Sequence, residues 1–330
     1  MDNELGAGPC RPGGAAEVRD SAVQAGPTQP GSEVPIRPGI VQRCLAAVWD
    51  YFRLTRPGIV AMVLVTMGVA ALVAQPEAPL WPALAHALAG AGLVISGAVA
   101  LNQHLERRSD ATMSRTALRP LPSGRLTARQ AVLFGVATSA AGMLYLAIFS
   151  LPMVALLTAA SWIVYVWVYT PLKTLSAWQT PLGAVAGAMP TLIGAAAVGE
   201  APTGVMPLAL FGIVYFWQFP HAMAIAWLHR ADYAAADLKL ATVVDPSGRI
   251  AARLALAGAA ALLPVSVLPC FDGGVGFGYA VTALMLGLAY LACAIAFCRR
   301  THDHQARALL WASLAYLPAI CAALVCAVWG

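Results

Sequence analysis

The chain has 330 residues, 60% of them hydrophobic and only 11% charged. A soluble domain carries about 25% charged residues, so this composition excludes an ordinary soluble enzyme and describes a membrane protein. The net charge of +5 calls for no nucleic-acid partner, because the basic residues are confined to particular connections.

Residues 1–36 are rich in Gly, Pro, Ala and Glu and contain no apolar run. They are expected to form a disordered cytoplasmic tail, without the apolar core of a signal peptide. Asp2, Glu4, Glu17, Asp20 and Glu33 argue against a transit peptide. Residues 37–330 are expected to form one domain. Apolar runs long enough to cross about 30 Å of hydrocarbon recur near 58–75, 82–102, 128–148, 151–170, 180–199, 204–227, 250–269, 276–298 and 309–329. The expected fold is therefore all-α, a polytopic membrane protein of nine transmembrane helices.

The connections alternate in charge. Those near 76–81, 149–150, 200–203 and 270–275 contain no Lys or Arg, whereas those at 37–57, 103–127, 171–179, 228–249 and 299–308 hold nearly all of them. The positive-inside rule then puts the N-terminus in the cytoplasm and the C-terminus outside. The seven cysteines form no CxxC pair and read as small apolar side chains rather than a disulfide framework.

The densest charge lies in "NQHLERRSDATMSRTALRPLPSGRL", Asn102 to Leu126. Asn102, Glu106 and Asp110 are spaced four and four, which places them on one face of a helix. Oxygen donors of this kind suit Mg²⁺, which is often held by one or two carboxylates together with substrate phosphates. Arg107, Arg108, Arg115, Arg119, Arg125 and Arg129 follow and suit a polyanion. A basic loop serving topology alone would not need the acids. The spacing therefore points to a diphosphate bound with Mg²⁺ at the cytoplasmic face.

Two spans are rich in aromatic residues, "SWIVYVWVYT" with Tyr169 and "FGIVYFWQF" with Trp217. A π face stabilises a cation, although rings also form interfacial belts. His221 follows Pro220 within a span, and an ionisable residue at membrane depth is a functional candidate. It is a candidate to contact a bound substrate.

The stretch 102–126 resembles the first acidic motif of the intramembrane (UbiA-type) prenyltransferases. Within that superfamily, Asp110 to Gly124, "DATMSRTALRPLPSG", resembles the protohaem IX farnesyltransferases, or haem O synthases. "YTPLKTLSAWQTPLGAVAGAMPTLIGAAAVG" and "WQFPHAMAIAWLHRADY" resemble two further segments of that family in the same order, and "DYFRLTRPGI" resembles its first.

The resemblance implies nine helices around a central cavity open to the cytoplasmic side of a bacterial inner membrane. It implies transfer of a farnesyl group from farnesyl diphosphate to a vinyl group of haem B, with water added, giving haem O. Mg²⁺ is the implied cofactor. The implied partners are the lipid bilayer and either haem A synthase or the terminal oxidase assembly. Asn102, Glu106 and Asp110 match the first metal motif and Asp232 the second. Lys173, Arg115 and Arg119 match the diphosphate-binding cations, with Arg56 and Arg230 beside them, and Tyr233 belongs to the matching Asp-Tyr pair.

The sequence departs from the family pattern after Tyr233. Asp237 stands where the family usually has Gly, and Lys239 where it has Pro. Asp237 is therefore an additional candidate metal ligand. Two other readings fit part of the pattern: a UbiA-type prenyltransferase making a quinone or chlorophyll precursor, and a transporter for an anionic solute. A transporter predicts charged or broken spans near the midplane, whereas these spans are almost free of charge.

Overall fold

The structure is a computed structural model and describes residues 39–75, 81–273 and 275–330. The expected tail at 1–36 lies outside the described residues. Among the described residues there are no strands, and nine helices are long and apolar enough to cross a membrane.

The chain begins with α1 (Ile40–Leu54), followed by α2 (Pro57–Ala74) and α3 (Trp81–Leu105). Next come the short α4 (Arg107–Thr112), α5 (Ala128–Phe149) and α6 (Pro152–Ile163). A π-helical turn at Val164–Tyr169 joins α6 to α7 (Thr170–Leu172), and the combined span runs from Pro152 to Leu172. The second half holds α8 (Gln179–Ala197), α9 (Val205–Leu228), the short α10 (Arg230–Ala235) and α11 (Ala241–Val244), then α12 (Arg249–Val267), α13 (Phe277–Arg299) and α14 (Asp303–Trp329).

Each boundary has a local cause. α2 and α6 start with Pro at their first positions, where the missing N–H costs no hydrogen bond. α5 opens with a capping box: Gln130 N–H donates to Thr127 Oγ1 at 3.2 Å, and Thr127 N–H donates to Gln130 Oε1 at 2.8 Å. Each bond satisfies a donor that the helix leaves open.

α1 occupies part of the stretch expected to be a connection. Ile40, Val41, Leu45, Val48, Trp49 and Phe52 are all exposed. Their spacing gathers them on one side, with Gln42, Arg43, Asp50 and Arg53 on the other, as in a helix lying along a lipid surface. Its polar side is fixed to the domain where Arg125 Nε donates to Asp50 Oδ1 at 2.9 Å.

Small residues let α3 and α5 approach closely. A Cβ on Gly97 would meet the Gly135 carbonyl at 2.5 Å, and one on Gly142 would meet the Gly90 carbonyl at 2.8 Å. Close backbone approach of this kind is how apolar helices associate without a hydrophobic driving force. It fixes the C-terminal end of α3, from which the acidic motif continues. A second cluster joins α9, α12, α13 and α14 around Trp217, Tyr290, Phe297 and Leu309. The cavity lies between these two groups of helices, and the charged connections close one end of it.

Candidate active site

The cavity encloses about 460 Å³ and draws its walls from α2, α3, α6, α8 and α9. Its charged end is lined by Arg56, Glu106, Asp110, Arg115, Arg119 and Lys173. Its deeper wall is apolar and aromatic, with Val94, Ile95, Trp162, Tyr165, Tyr169 and Trp217.

The backbone at the acidic motif continues the helix by one more turn on each side of Glu106. Glu106 N–H donates to the Asn102 carbonyl at 2.9 Å, and Asp110 N–H donates to the Glu106 carbonyl at 2.8 Å. The four-residue spacing is therefore a run of successive helical turns. Asn102 hydrogen-bonds the Glu106 carboxylate, but the three side chains are not equally placed. Glu106 and Asp110 line the cavity, whereas Asn102 is fully buried behind it, its Nδ2 donating to Thr170 Oγ1 at 2.9 Å. Its Oδ1 is also buried and has no hydrogen-bond partner.

Each carboxylate faces a cation. Lys173 Nζ lies 2.5 Å from Glu106 Oε1, and Arg119 Nη1 lies 2.5 Å from Asp110 Oδ2. Arg56 Nη2 is 4.0 Å from the same Asp110 oxygen. Burial alone would raise the Glu106 carboxyl, but Lys173, then Arg56, outweigh it and hold it below its usual value. Burial opposes the charge on Lys173 as well, yet Glu106 keeps the amine above the ordinary lysine value. Asp110 is pushed up, by burial and by the Glu106 charge beside it, against the pull of Arg119 and Arg56. Two carboxylates that repel each other resist ionising together unless more positive charge arrives.

Arg56 occupies the turn before α2 with φ 48°, a left-handed conformation that is costly for a side chain larger than Gly. Its Nε and Nη2 are buried without hydrogen-bond partners. The strained backbone thus holds a guanidinium toward the cavity with donors to spare.

The π turn explains how Lys173 reaches the acids. Pro171 has no N–H to offer the Trp167 carbonyl, and the helix loosens there: Thr170 N–H donates to the carbonyl of Tyr165, five residues back. Thr170 Oγ1 donates to the same carbonyl at 2.8 Å while accepting from Asn102. The wider turn brings Tyr165, Tyr169 and Lys173 to the cavity wall together, with Lys173 Nζ 4.3 Å from the centre of the Tyr169 ring. Single π turns of this kind recur at functional sites.

Two glycines on α8 have a spatial reason. A Cβ on Gly183 would press into the Tyr169 ring, and one on Gly187 would strike Gln218 Oε1. Both displaced side chains line the cavity, so these glycines make room for its wall.

The two charged connections meet over this end of the cavity. Arg115 Nη2 donates to Tyr233 Oη at 2.7 Å, and Tyr233 packs with Met113 and Leu238. Lys239 N–H donates to the Lys173 carbonyl at 2.9 Å. A Pro at position 239 would have no proton for that bond.

Not every expected residue comes to the cavity. Asp232 does not line it; its Oδ2 lies 4.0 Å from His229 Nδ1. Arg230 lies 2.9 Å from Asp303 Oδ1 and stacks over Trp227 at 4.5 Å, so its charge is engaged away from the cavity. Asp237 has an 87% exposed side chain paired with Lys239 Nζ at 2.6 Å. Its φ is 51°, which explains why Gly suits the position: the turn is left-handed. Asp237 thus sits in a strained turn closed by an exposed ion pair, and it does not line the cavity. Among the described residues no group of three His, Cys, Asp or Glu side chains is placed to hold a metal; the carboxylates brought together are Glu106 and Asp110.

Tyr169, Trp217, His221 and Tyr233 all line the cavity, as do Arg56, Arg115, Arg119 and Lys173. Sequence reasoning passed over Thr158, Ser161 and Thr180, which also line it. Their signal was available: hydroxyls within otherwise apolar spans.

An all-helical membrane domain whose apolar cavity ends in paired acids and cations defines an intramembrane enzyme acting on an amphipathic anionic substrate. The chain belongs to the UbiA prenyltransferase family, whose profile matches residues 62–324, and within it to the protohaem IX farnesyltransferases. One relative, the protohaem IX farnesyltransferase of Solibacter usitatus (strain Ellin6076), is 40% identical over 280 residues, covering 82% of this chain and 96% of that protein. The fold is shared with a digeranylgeranylglyceryl phosphate synthase (TM-score 0.73, 11% identity, 86% of this chain and 99% of that one). It is also shared with a UbiA homologue from Archaeoglobus fulgidus solved with GPP and Mg²⁺ (TM-score 0.61, 17% identity, 83% of this chain and 99% of that one).

Proposed function

We propose that this protein transfers the farnesyl group of farnesyl diphosphate to a vinyl group of haem B, forming haem O in a Mg²⁺-dependent reaction. The observation that carries the reading is the cavity's polarity. Four cations surround two carboxylates at one end, and an apolar, ring-lined space continues from them. That is the shape of an isoprenoid diphosphate. The choice of haem as acceptor rests on the relatives' activity.

The chain's own residues divide the work. Arg56, with unpaired buried donors, together with Arg115, Arg119 and Lys173, binds the diphosphate oxygens. Preorganised charge at a departing anion is commonly the largest catalytic term. As the C1–O bond of the farnesyl group breaks, the electron pair leaves with the diphosphate, and C1 bonds to the terminal vinyl carbon. The cation left on the inner vinyl carbon takes water and loses a proton, giving the hydroxyethylfarnesyl chain. Tyr165, Tyr169 and Trp162 belong to the aromatic wall that continues from the charged end, where their π faces steady the allylic cation.

Glu106 and Asp110 fit a hard cation that shares its ligands with phosphate, and the unpaired Asn102 Oδ1 is an oxygen one turn before them. A bound Mg²⁺ would supply Lewis-acid neutralisation of the leaving group. The one-sided Lys and Arg distribution supports an orientation with the cavity mouth and the N-terminus on the cytoplasmic side of the membrane.

The test is expression in cells that lack haem O, followed by pigment extraction and mass analysis. Haem carrying a hydroxyethylfarnesyl chain is the expected product. A prenylated quinone precursor with no change in haem would overturn the reading.

A further inference from the structure

The cavity holds a histidine that is hydrogen-bonded from behind. His221 lines the cavity on α9, and Trp217, one turn earlier, stacks on its ring at 4.7 Å with planes 21° apart. Trp217 is itself fixed, its Nε1 donating to the Ser313 carbonyl at 2.8 Å. Ser313 is fully buried on α14. Its Oγ lies 2.6 Å from the Leu310 carbonyl and 2.8 Å from His221 Nδ1.

A hydroxyl has one proton, and a carbonyl can only accept. Tyr290 also hydrogen-bonds Ser313; both the Leu310 carbonyl and His221 are satisfied when the Ser313 proton goes to Leu310 and Ser313 Oγ accepts from His221 Nδ1–H. A neutral imidazole carries one N–H, which leaves the lone pair on Nε2. Among the described residues Nε2 has no hydrogen-bond partner, and it is not among the buried atoms that lack one. No acid of the described residues forms an ion pair with His221, so nothing there favours a second proton. The result is an unprotonated nitrogen, held in orientation by a ring stack and a hydrogen bond, presented to an apolar cavity.

We propose that His221 Nε2 ligates the iron of the haem substrate, and that Ser313 is the positioning residue that fixes the ligating tautomer. The inference rests on the proposed function and specifies how the acceptor is held. Metal-ligating histidines characteristically donate their other ring N–H to a fixed acceptor, which sets both tautomer and ring orientation. Here that acceptor is a hydroxyl whose own proton is already committed. Ligation to iron leaves the porphyrin edge, and hence the vinyl groups, free to meet the farnesyl carbon.

The experiment uses the full chain, purified in lipid nanodiscs and titrated with protohaem IX and with metal-free protoporphyrin IX. The readouts are the Soret and visible bands and electron paramagnetic resonance, with farnesyl transfer to haem measured separately. The wild type should show an imidazole-ligated iron spectrum and bind haem more tightly than the metal-free ring. His221→Ala should lose that spectrum and that preference, and added imidazole should restore the spectrum. Ser313→Ala should keep the protein in the membrane yet weaken haem binding by about 10- to 100-fold, the usual effect of removing such a support, with little effect on the metal-free ring.

Identical spectra for wild type and His221→Ala would overturn the inference, as would equal binding of both rings by the wild type. A Ser313→Ala variant that lost affinity for both rings alike would overturn the role of Ser313. If farnesyl transfer to haem persists while the spectra are identical, only this inference fails. If the wild type transfers nothing to haem, the proposed function fails instead.

Discussion

Lys173 and Glu106 provide the sharpest separation of stability from chemistry. Their charged atoms lie 2.5 Å apart, and the side chains are 17% and 15% exposed. Breaking a buried ion pair by removing one partner costs about 3–5 kcal/mol, because the other charge is left unpaired; the partial exposure places this pair near the lower end. Lys173→Met should therefore cost about 3 kcal/mol, since Glu106 loses its direct partner and is left beside Asp110, with Arg56 and Arg119 the remaining cations acting on it. Glu106→Gln should cost less, because Lys173 keeps the Tyr169 ring at 4.3 Å, a contact worth about 0.5–2 kcal/mol. The double variant removes both charges and should recover about 2 kcal/mol relative to the sum of the single changes. Thermal unfolding of the purified protein in one fixed detergent measures all four corners of the cycle. Farnesyl transfer should remain lost in every variant, including the stable double one. If the double variant is as unstable as the sum of the singles, the pair does not hold the two connections together. If it is stable and active, neither charge serves the diphosphate.

Other changes probe the surrounding geometry. Asp110→Asn is nearly isosteric and should leave the protein inserted while lowering transfer by on the order of 10²- to 10³-fold, read as product per inserted protein across a Mg²⁺ titration. Asp237→Gly relieves a positive φ and removes only an exposed ion pair, so it should raise stability by roughly 0.5–1 kcal/mol with turnover unchanged. Gly187→Ala drives a methyl into Gln218 Oε1; overpacking of this kind costs about 1–3 kcal/mol, and the thermal midpoint should fall. Reporter fusions after Arg125 and after Gly330 should fall on opposite sides of the membrane.

The spans were legible because hydrocarbon thickness is a constraint of length and polarity that each helix meets alone. The expected run 128–148 and the observed Ala128–Phe149 are nearly the same element. α1 was legible in principle: Ile40, Val41, Leu45, Val48, Trp49 and Phe52 repeat with a helical period, but the run is too mixed to read as a span. The acid spacing correctly marked successive turns through Asn102, Glu106 and Asp110. It could not reveal that Asn102 turns to Thr170, because side-chain direction depends on how α3 packs against the π turn. Asp232 and Arg230 lie off the cavity wall for a similar reason. Their partners, His229 and Asp303, are set by the paths of α10 and α14, which motif spacing does not encode. Ser313 gave almost no signal. It is a single hydroxyl in the last span, and it gains meaning only from His221, a neighbour 92 residues away in sequence.

The most direct test of the account is reconstitution of the purified protein in lipid vesicles with farnesyl diphosphate and protohaem IX. The product is analysed by mass with Mg²⁺ present and again after chelation. The account predicts haem bearing a hydroxyethylfarnesyl chain when Mg²⁺ is present and almost none after chelation. Transfer that is undiminished by chelation, or no prenylation of haem under either condition, would contradict it.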